Sequence, residues 1–451
     1  LLGVRPRWIE IAVIAAAASG CSGIGAPPAR GLDGTPPAEL PDASPTNPMG
    51  DTRHTPEAGL LPSGRPCDSA AQCLSSNCLE HVCSDWAHAM RITFTNTAGA
   101  PVSGQPLVTD FPALVRLSKE NFPFSTADVG SDLRFVDENG TNLAYEIEDW
   151  NPSTRLAAIW VRLPLLDPHA PIVEGEQRNP ITMYWGNPGA INLSSGPAVF
   201  SAFTAVLHLT PSWDGWDHRV TDSSGHGNDG VPLSEWADAW IAGQAGQALD
   251  INDQEPLATP VPVPSPGEFT LSVWFKTTAK RGGGLIGFAD TRSSVSNDTS
   301  SGPARLMDRV LWMADRRLHF AVLDVDRGYS VISSPPLNQF DVGYSDGRWH
   351  VVVARLSAEG QDLFADGDLL DSAVTTPKPV SYNGYWRVGT SDVVNWPAGS
   401  GIPAASSAQF PGVIDEVRVY PAALSNERIA ADYQIQREDT RWVKTERLDK
   451  P

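Results

Sequence analysis

Apolar and polar residues alternate in short runs along most of this chain, and the runs end at Asp-Gly, Asn-Gly or Pro-rich turns. DFPALVRLSKENFPFS (110–125), GSDLRFVDENGTNLAYEIEDW (130–150), LAAIWVRLP (156–164) and ITMYWGN (181–187) form one group of period-two patterns, the signature of half-buried strands. FTLSVWF (269–275), DGRWHVVVARL (346–356), DLFADGDLLDS (362–372) and WRVGTS (386–391) form a second. Alternation weakens from Val351 to Ala354, which predicts a strand covered on both faces. Asp366 and Gly367 sit between Leu363-Phe364 and Leu369-Leu370, where a tight hairpin needs positive backbone torsions. Asp346 and Gly347 predict a similar turn ahead of Trp349. Trp274, Trp349 and Trp386 are expected in the core between two sheets. One short closing helix is predicted over NERIAADY, with Ser425 as its cap.

The second group is bracketed by DSSGHGNDG (222–230) and GVIDEVRVYPAALSNERI (412–429). In that order these motifs resemble a LamG-like, concanavalin A-type jelly roll, and the resemblance implies a binding or adhesive module far more often than a catalyst. The first group resembles the domain of unknown function numbered 2341. That family stands beside LamG-like domains and, in other chains, is fused to MotA/TolQ/ExbB-type proton channels. No later apolar run here is long enough to cross a membrane, so channel function is not carried over. The expected fold is mainly β: an N-terminal β-sandwich-like domain over 87–190 and a concanavalin A-like jelly roll over 196–438, followed by a polar tail over 439–451.

The beginning of the sequence has a different character. Arg5 and Arg7, then IAVIAAAA (Ile11 to Ala18), read as an export signal over residues 1–20. Ala18, Ser19, Gly20 and Cys21 resemble a bacterial lipobox, which implies lipidation at Cys21 and an outer-membrane or cell-surface anchor. The alternative is an ordinary signal cut near Ala18 and a secreted or periplasmic product. Residues 21–62 are rich in Pro, Gly, Ala, Ser and Thr and are expected to be a disordered tether. Cys67, Cys73, Cys78 and Cys83 then crowd the segment 63–86. In an exported chain they predict two disulfides, with three connectivities open. Zinc with His81 or His88 competes, although no CxxC pair is present to support it.

Length and charge narrow the function. At 451 residues the chain has room for two or three domains. A net charge of -20 with no basic stripe argues against nucleic acid. Fifteen Trp and 39 each of Gly and Pro suit many short strands joined by turns. Glu146 and Glu148 lie two apart on a predicted strand and share a face, the kind of pair a retaining glycosidase uses. The order of residues in YEIEDW is not the glucanase one, so these acids are expected to face water or pair with Arg134.

Asp222, Asn228 and Asp415 are the candidate metal ligands. Calcium takes six to eight oxygens from carboxylates and carbonyls on pliant loops, and relatives that bind calcium at this junction carry the role onto these three positions. The same residues also suit turns stabilised by their own side chains. Trp213, Trp216, Trp236, Trp240 and Trp396 occupy polar or Pro/Gly-rich contexts and are candidates for stacking on a sugar ring. The expected function is non-catalytic binding or adhesion at the cell surface, with a glycan or a surface protein as partner. The alternatives are a glycoside hydrolase, or an accessory envelope protein related to ExbB-type systems.

Overall fold

A computed structural model describes residues 78–79, 82–94, 108–127, 130–167, 180–210, 219–233, 240–252, 256–292, 306–374, 377–392, 403–405, 407–440 and 442–448. The signal, the tether, Cys21, Cys67 and Cys73 therefore lie outside the described residues. The expected mainly β class is present. The first strands are β1 (Cys78–Leu79), β2 (Val82–Cys83), β3 (His88–Phe94), β4 (Val108–Ser118), β5 (Arg134–Asp137), β6 (Tyr145–Asn151), β7 (Leu156–Leu166) and β8 (Ile181–Trp185). The short helix α1 (Gly196–Phe200) follows them. The strands after it are β9 (Ala205–Leu207), β10 (Val231–Pro232), β11 (Trp240–Ala242), β12 (Gln247–Asp250), β13 (Leu257–Ala258), β14 (Val263–Pro264), β15 (Phe269–Lys276) and β16 (Gly284–Ala289). Next come β17 (Met307–Ala314), β18 (Arg317–Asp324), β19 (Gly328–Ser333), β20 (His350–Ser357), β21 (Gly360–Ala365), β22 (Asp368–Ala373), β23 (Asn383–Val388) and β24 (Val413–Tyr420). Helix α2 (Asn426–Gln436) and β25 (Val443–Arg447) close the chain.

Two large sheets build the jelly roll. One runs β10-β13-β23-β16-β17-β18-β19, with β14 also on β23, and the other runs β11-β12-β24-β15-β20-β21-β22, with β9 also on β24. Phe269, Leu271, Val273, Phe288, Phe320, Val352, Ala354, Trp386 and Val388 are among the buried residues that fill one core. Val351 and Val353 bury their side chains in a different cluster with Trp274, Phe364 and Ile429, which belongs to α2. β20 is thus covered on both faces, as its weak alternation predicts. Asp366 and Gly367 take φ of 52° and 86° in the β21–β22 hairpin, matching a turn with two positive torsions. The Ser425 side chain accepts a hydrogen bond from the Arg428 backbone N–H and caps α2.

The first domain packs a sheet of β25-β3-β8-β5 near a sheet of β4-β7-β6, around Met90, Phe111, Phe135, Trp160 and Trp185. The same cluster takes in Val206 of β9 and Ala431 and Ile435 of α2. Apolar burial therefore runs continuously from this domain into the jelly roll. The segment expected as a polar tail differs from that reading: Val443 to Arg447 pair antiparallel with Phe94 to Met90. Its charged residues suit an edge strand exposed on one side, which is why no apolar alternation marks it.

Candidate functional site

An open groove of about 840 Å³ lies on the outer face of the β15–β20 sheet, beside the end of α2. Trp349, Tyr433, Lys276, His350, Asp366 and Arg437 supply its main chemistry. Trp349 is half-buried instead of lying between the sheets, because Gly347, at φ 79°, turns the chain just before β20 begins. The Lys276 ammonium sits 4.8 Å from the Trp349 ring centre. Tyr433 stacks near the buried Trp274, with ring centres 6.0 Å apart. His350 is held between Asp366 at 2.7 Å and Asp346 at 3.0 Å. Burial works to lower this imidazole, but hydrogen bonding and charge from Asp366, with Asp346 adding to them, raise it above its ordinary value. Arg437 is paired with Asp439. The lining combines aromatic rings with charges of both signs, a mixture that orients a polar ligand with hydroxyl groups.

A second constellation is buried where the two domains join. Glu146 and Glu148 come from β6, His208 follows β9, and Glu416 and Arg418 come from β24. His208 Nδ1 lies 2.6 Å from Glu416 and 3.7 Å from Glu148, and its Nε2 lies 3.3 Å from Glu146. Glu146 accepts a hydrogen bond from the Ser223 hydroxyl at 2.7 Å. Glu148 accepts one from the Trp160 indole at 2.7 Å. Arg418 bonds Glu416 at 2.6 Å and lies 4.2 Å from the centre of the Trp160 ring. The expectation that Glu146 and Glu148 face water or meet Arg134 is corrected here. Arg134 donates to the carbonyls of Leu133 and Ile191, and the acids turn onto the jelly roll.

Backbone irregularity aims two of these acids. The β6–β7 register shifts between Ile147 and Asp149, leaving Glu148 as the extra residue of a bulge. The β15–β24 register shifts between Ser272 and Trp274, opposite Glu416, whose φ is 49°. Bulges of this kind redirect a side chain out of strict alternation.

Burial pushes Glu148 up to about 8, and the neighbouring Glu416 charge adds to the push. The same burial opposes ionisation of Glu416, but the charges of His208 and Arg418 outweigh it and hold that carboxyl down at about 2. Burial works to lower His208, yet Glu416, Glu148 and Glu146 raise it well above the usual imidazole range.

The residues singled out as metal ligands each hold hydrogen bonds. Asp222 accepts from the backbone N–H groups of Val206, Ser224 and Asn228 and from the Ser224 hydroxyl. Asn228 donates to the Thr204 carbonyl. Asp415 accepts from the N–H groups of Gln244, Ala245 and Glu416. Asp222 thereby ties its loop to β9, which pairs with the last jelly-roll strand at Leu207 and Val417. Trp240 opens β11 and packs partly buried against the jelly-roll core. Trp213, Trp216, Trp236 and Trp396 lie outside the described residues. Cys78 and Cys83 are register partners of the β1–β2 hairpin.

Two antiparallel β domains, one of them a two-sheet jelly roll, define the class. Residues 129–218 match the domain of unknown function DUF2341, and residues 247–430 match the concanavalin A-like lectin/glucanases superfamily. The chain is thus a DUF2341 segment followed by a concanavalin A-like domain. No curated protein matches it. Among solved structures it is similar to the botulinum neurotoxin serotype D ligand binding domain in complex with N-acetylneuraminic acid, at 15% identity and TM-score 0.35, over 53% of this chain and 52% of that one. It is also similar to the binding domain of Paraclostridial Mosquitocidal Protein 1, at 14% identity and TM-score 0.35, over 52% of each chain. For the botulinum neurotoxin type G receptor binding domain the figures are 11% and 0.32, over 52% of this chain and 51% of that one. The chain spans about half the length of these structures.

Proposed function

We propose that this protein is a non-catalytic binding protein of the bacterial cell surface, which takes a carbohydrate chain in the groove over β15 and β20. The observation that carries the reading is the placement of Trp349, half-buried in an open groove and ringed by Asp346, Arg348, Asp366 and Arg437. A pyranose ring has an apolar face suited to an indole, and its hydroxyls suit paired donors and acceptors around that ring. The acid pair weighed for a glycosidase lies outside this groove: Glu146 and Glu148 have side chains 15% and 1% exposed and are engaged by Ser223, Trp160 and His208. On this reading the lipobox-like run ending at Cys21 anchors the chain and the Pro/Gly-rich segment is the tether that presents the groove away from a membrane.

The test is a glycan array probed with the full chain, with calcium and with chelator. Retention of a glycan class without product release, and its loss in Trp349→Ala, is the expected result. Silence on every glycan, or release of cleaved product, overturns the reading.

A further inference from the structure

We propose that Glu148, His208 and Glu416 form a binding site for one divalent transition-metal ion, with zinc the best match, at the join of the two β domains. One donor atom from each of the three lies within 4.8 Å of the others. An imidazole with two carboxylates is a set that zinc accepts. Calcium, which needs six to eight oxygens, matches it poorly.

Each of the three is held by an outer partner of the kind that aims metal ligands. The far nitrogen of His208 meets Glu146, which Ser223 fixes in turn. Trp160 holds Glu148, and Arg418 holds Glu416. A separate observation points to a missing partner: Oε1 of Glu148, on a side chain only 1% exposed, has no hydrogen-bond donor. That oxygen lies toward Gly246, while Oε2 is the one that faces His208; an ionised carboxylate buried this way is costly, and a cation held on Oε2 would offset its charge.

Charge makes the same argument. In the state that ligates metals the imidazole is neutral and the carboxylates are ionised. The carboxylates of Glu146, Glu148 and Glu416 then outnumber the neighbouring cations Arg418 and Arg116 of β4, so a divalent ion offsets the excess negative charge. His208 Nδ1 and Glu416 Oε1 share a proton across 2.6 Å. Binding exchanges that proton for the ion and moves the two atoms to about 3.3 Å, the separation set by bonds of about 2 Å in a tetrahedral site.

The full chain, stripped with chelator, would be titrated with zinc chloride and crystallised with and without it. The expected result is an anomalous-scattering peak at the zinc edge about 2 Å from His208 Nδ1, a zinc-dependent rise in melting temperature, and zinc affinity at this site at least tenfold weaker in Glu148→Gln. Trp349→Ala should bind zinc as the parent does, which keeps this outcome separate from failure of the glycan reading. Zinc found only on sulfur, through Cys67, Cys73, Cys78 or Cys83, overturns the proposal, as does the lack of any peak at His208. Should Glu148→Gln not fold, the position of the peak in the unaltered chain decides.

Discussion

Arg418 lies with its guanidinium 4.2 Å from the centre of the Trp160 ring while it bonds Glu416 at 2.6 Å, so one cation joins a first-domain aromatic to a jelly-roll acid. Breaking a buried pair by removing one partner costs about 3–5 kcal/mol, and Glu416 would be left paired with His208 alone. Arg418→Met should therefore lower the melting temperature by roughly ten degrees, at about 2–4 °C per kcal/mol for a domain of this size. A thermal scan that matches the parent would show the pair to be energetically idle.

Gly246 offers a finer probe of the same region. Its φ is +51°, and a Cβ there would press on Glu148 Oε1. Gly227 has φ +76° with nothing within 4 Å of such a Cβ. Both alanine variants pay about 1–2 kcal/mol for the left-handed backbone, but Gly246→Ala should lose clearly more, measured by urea unfolding. Equal losses would mean that the Glu148 carboxylate moves aside freely.

The groove should respond to pH through His350. Its imidazole is raised by Asp366 and Asp346, so the stabilisation it adds is complete below its unfolded-state value and fades as pH rises through the higher folded one. Tyr344 packs edge-on to the ring and Phe275 packs beside it, while Lys276, Arg348 and Arg437 are the fixed cations of the groove. An NMR titration should place His350 above an ordinary histidine and bring it back down in Asp366→Asn. No displacement between the two proteins would refute the coupling.

Ending the chain before Trp442 should unravel more than a tail. Trp442 is buried in the first-domain core, and β25 covers the edge of β3. The shortened protein should show faster amide exchange from His88 to Phe94 and a greater tendency to associate through the bared edge. Unchanged exchange along β3 would show that β25 contributes nothing to that sheet.

Much of the fold is legible in sequence because its signals are local. The Asp366-Gly367 hairpin and the Ser425 cap are each set by neighbours within a few residues, and the Val351–Val353 run announces its double covering by its own unbroken apolar character, although distant residues such as Trp274 and Ile429 supply the cover. The shared face of Glu146 and Glu148 is legible in the same way, yet their destination is not. Their partner His208 stands 62 positions from Glu146 and 208 from Glu416, in a run without any histidine spacing to notice. Trp349 misleads for another reason. Its surroundings read as a buried strand, yet it packs half-buried on the outer cluster of Trp274, Val351 and Ile429 with Lys276 over its ring. β25 has charged residues and no apolar rhythm, so nothing but its pairing identifies it.

The pairing of β3 with β25 also bears on how such a protein reaches its native state. As the chain emerges, β3 comes out first and waits for a strand that is made only after the entire jelly roll. The early domain cannot seal its sheet until the late one has been delivered. Until then that open edge can pair with another chain, and a chaperone that shields it would raise the yield of folded protein.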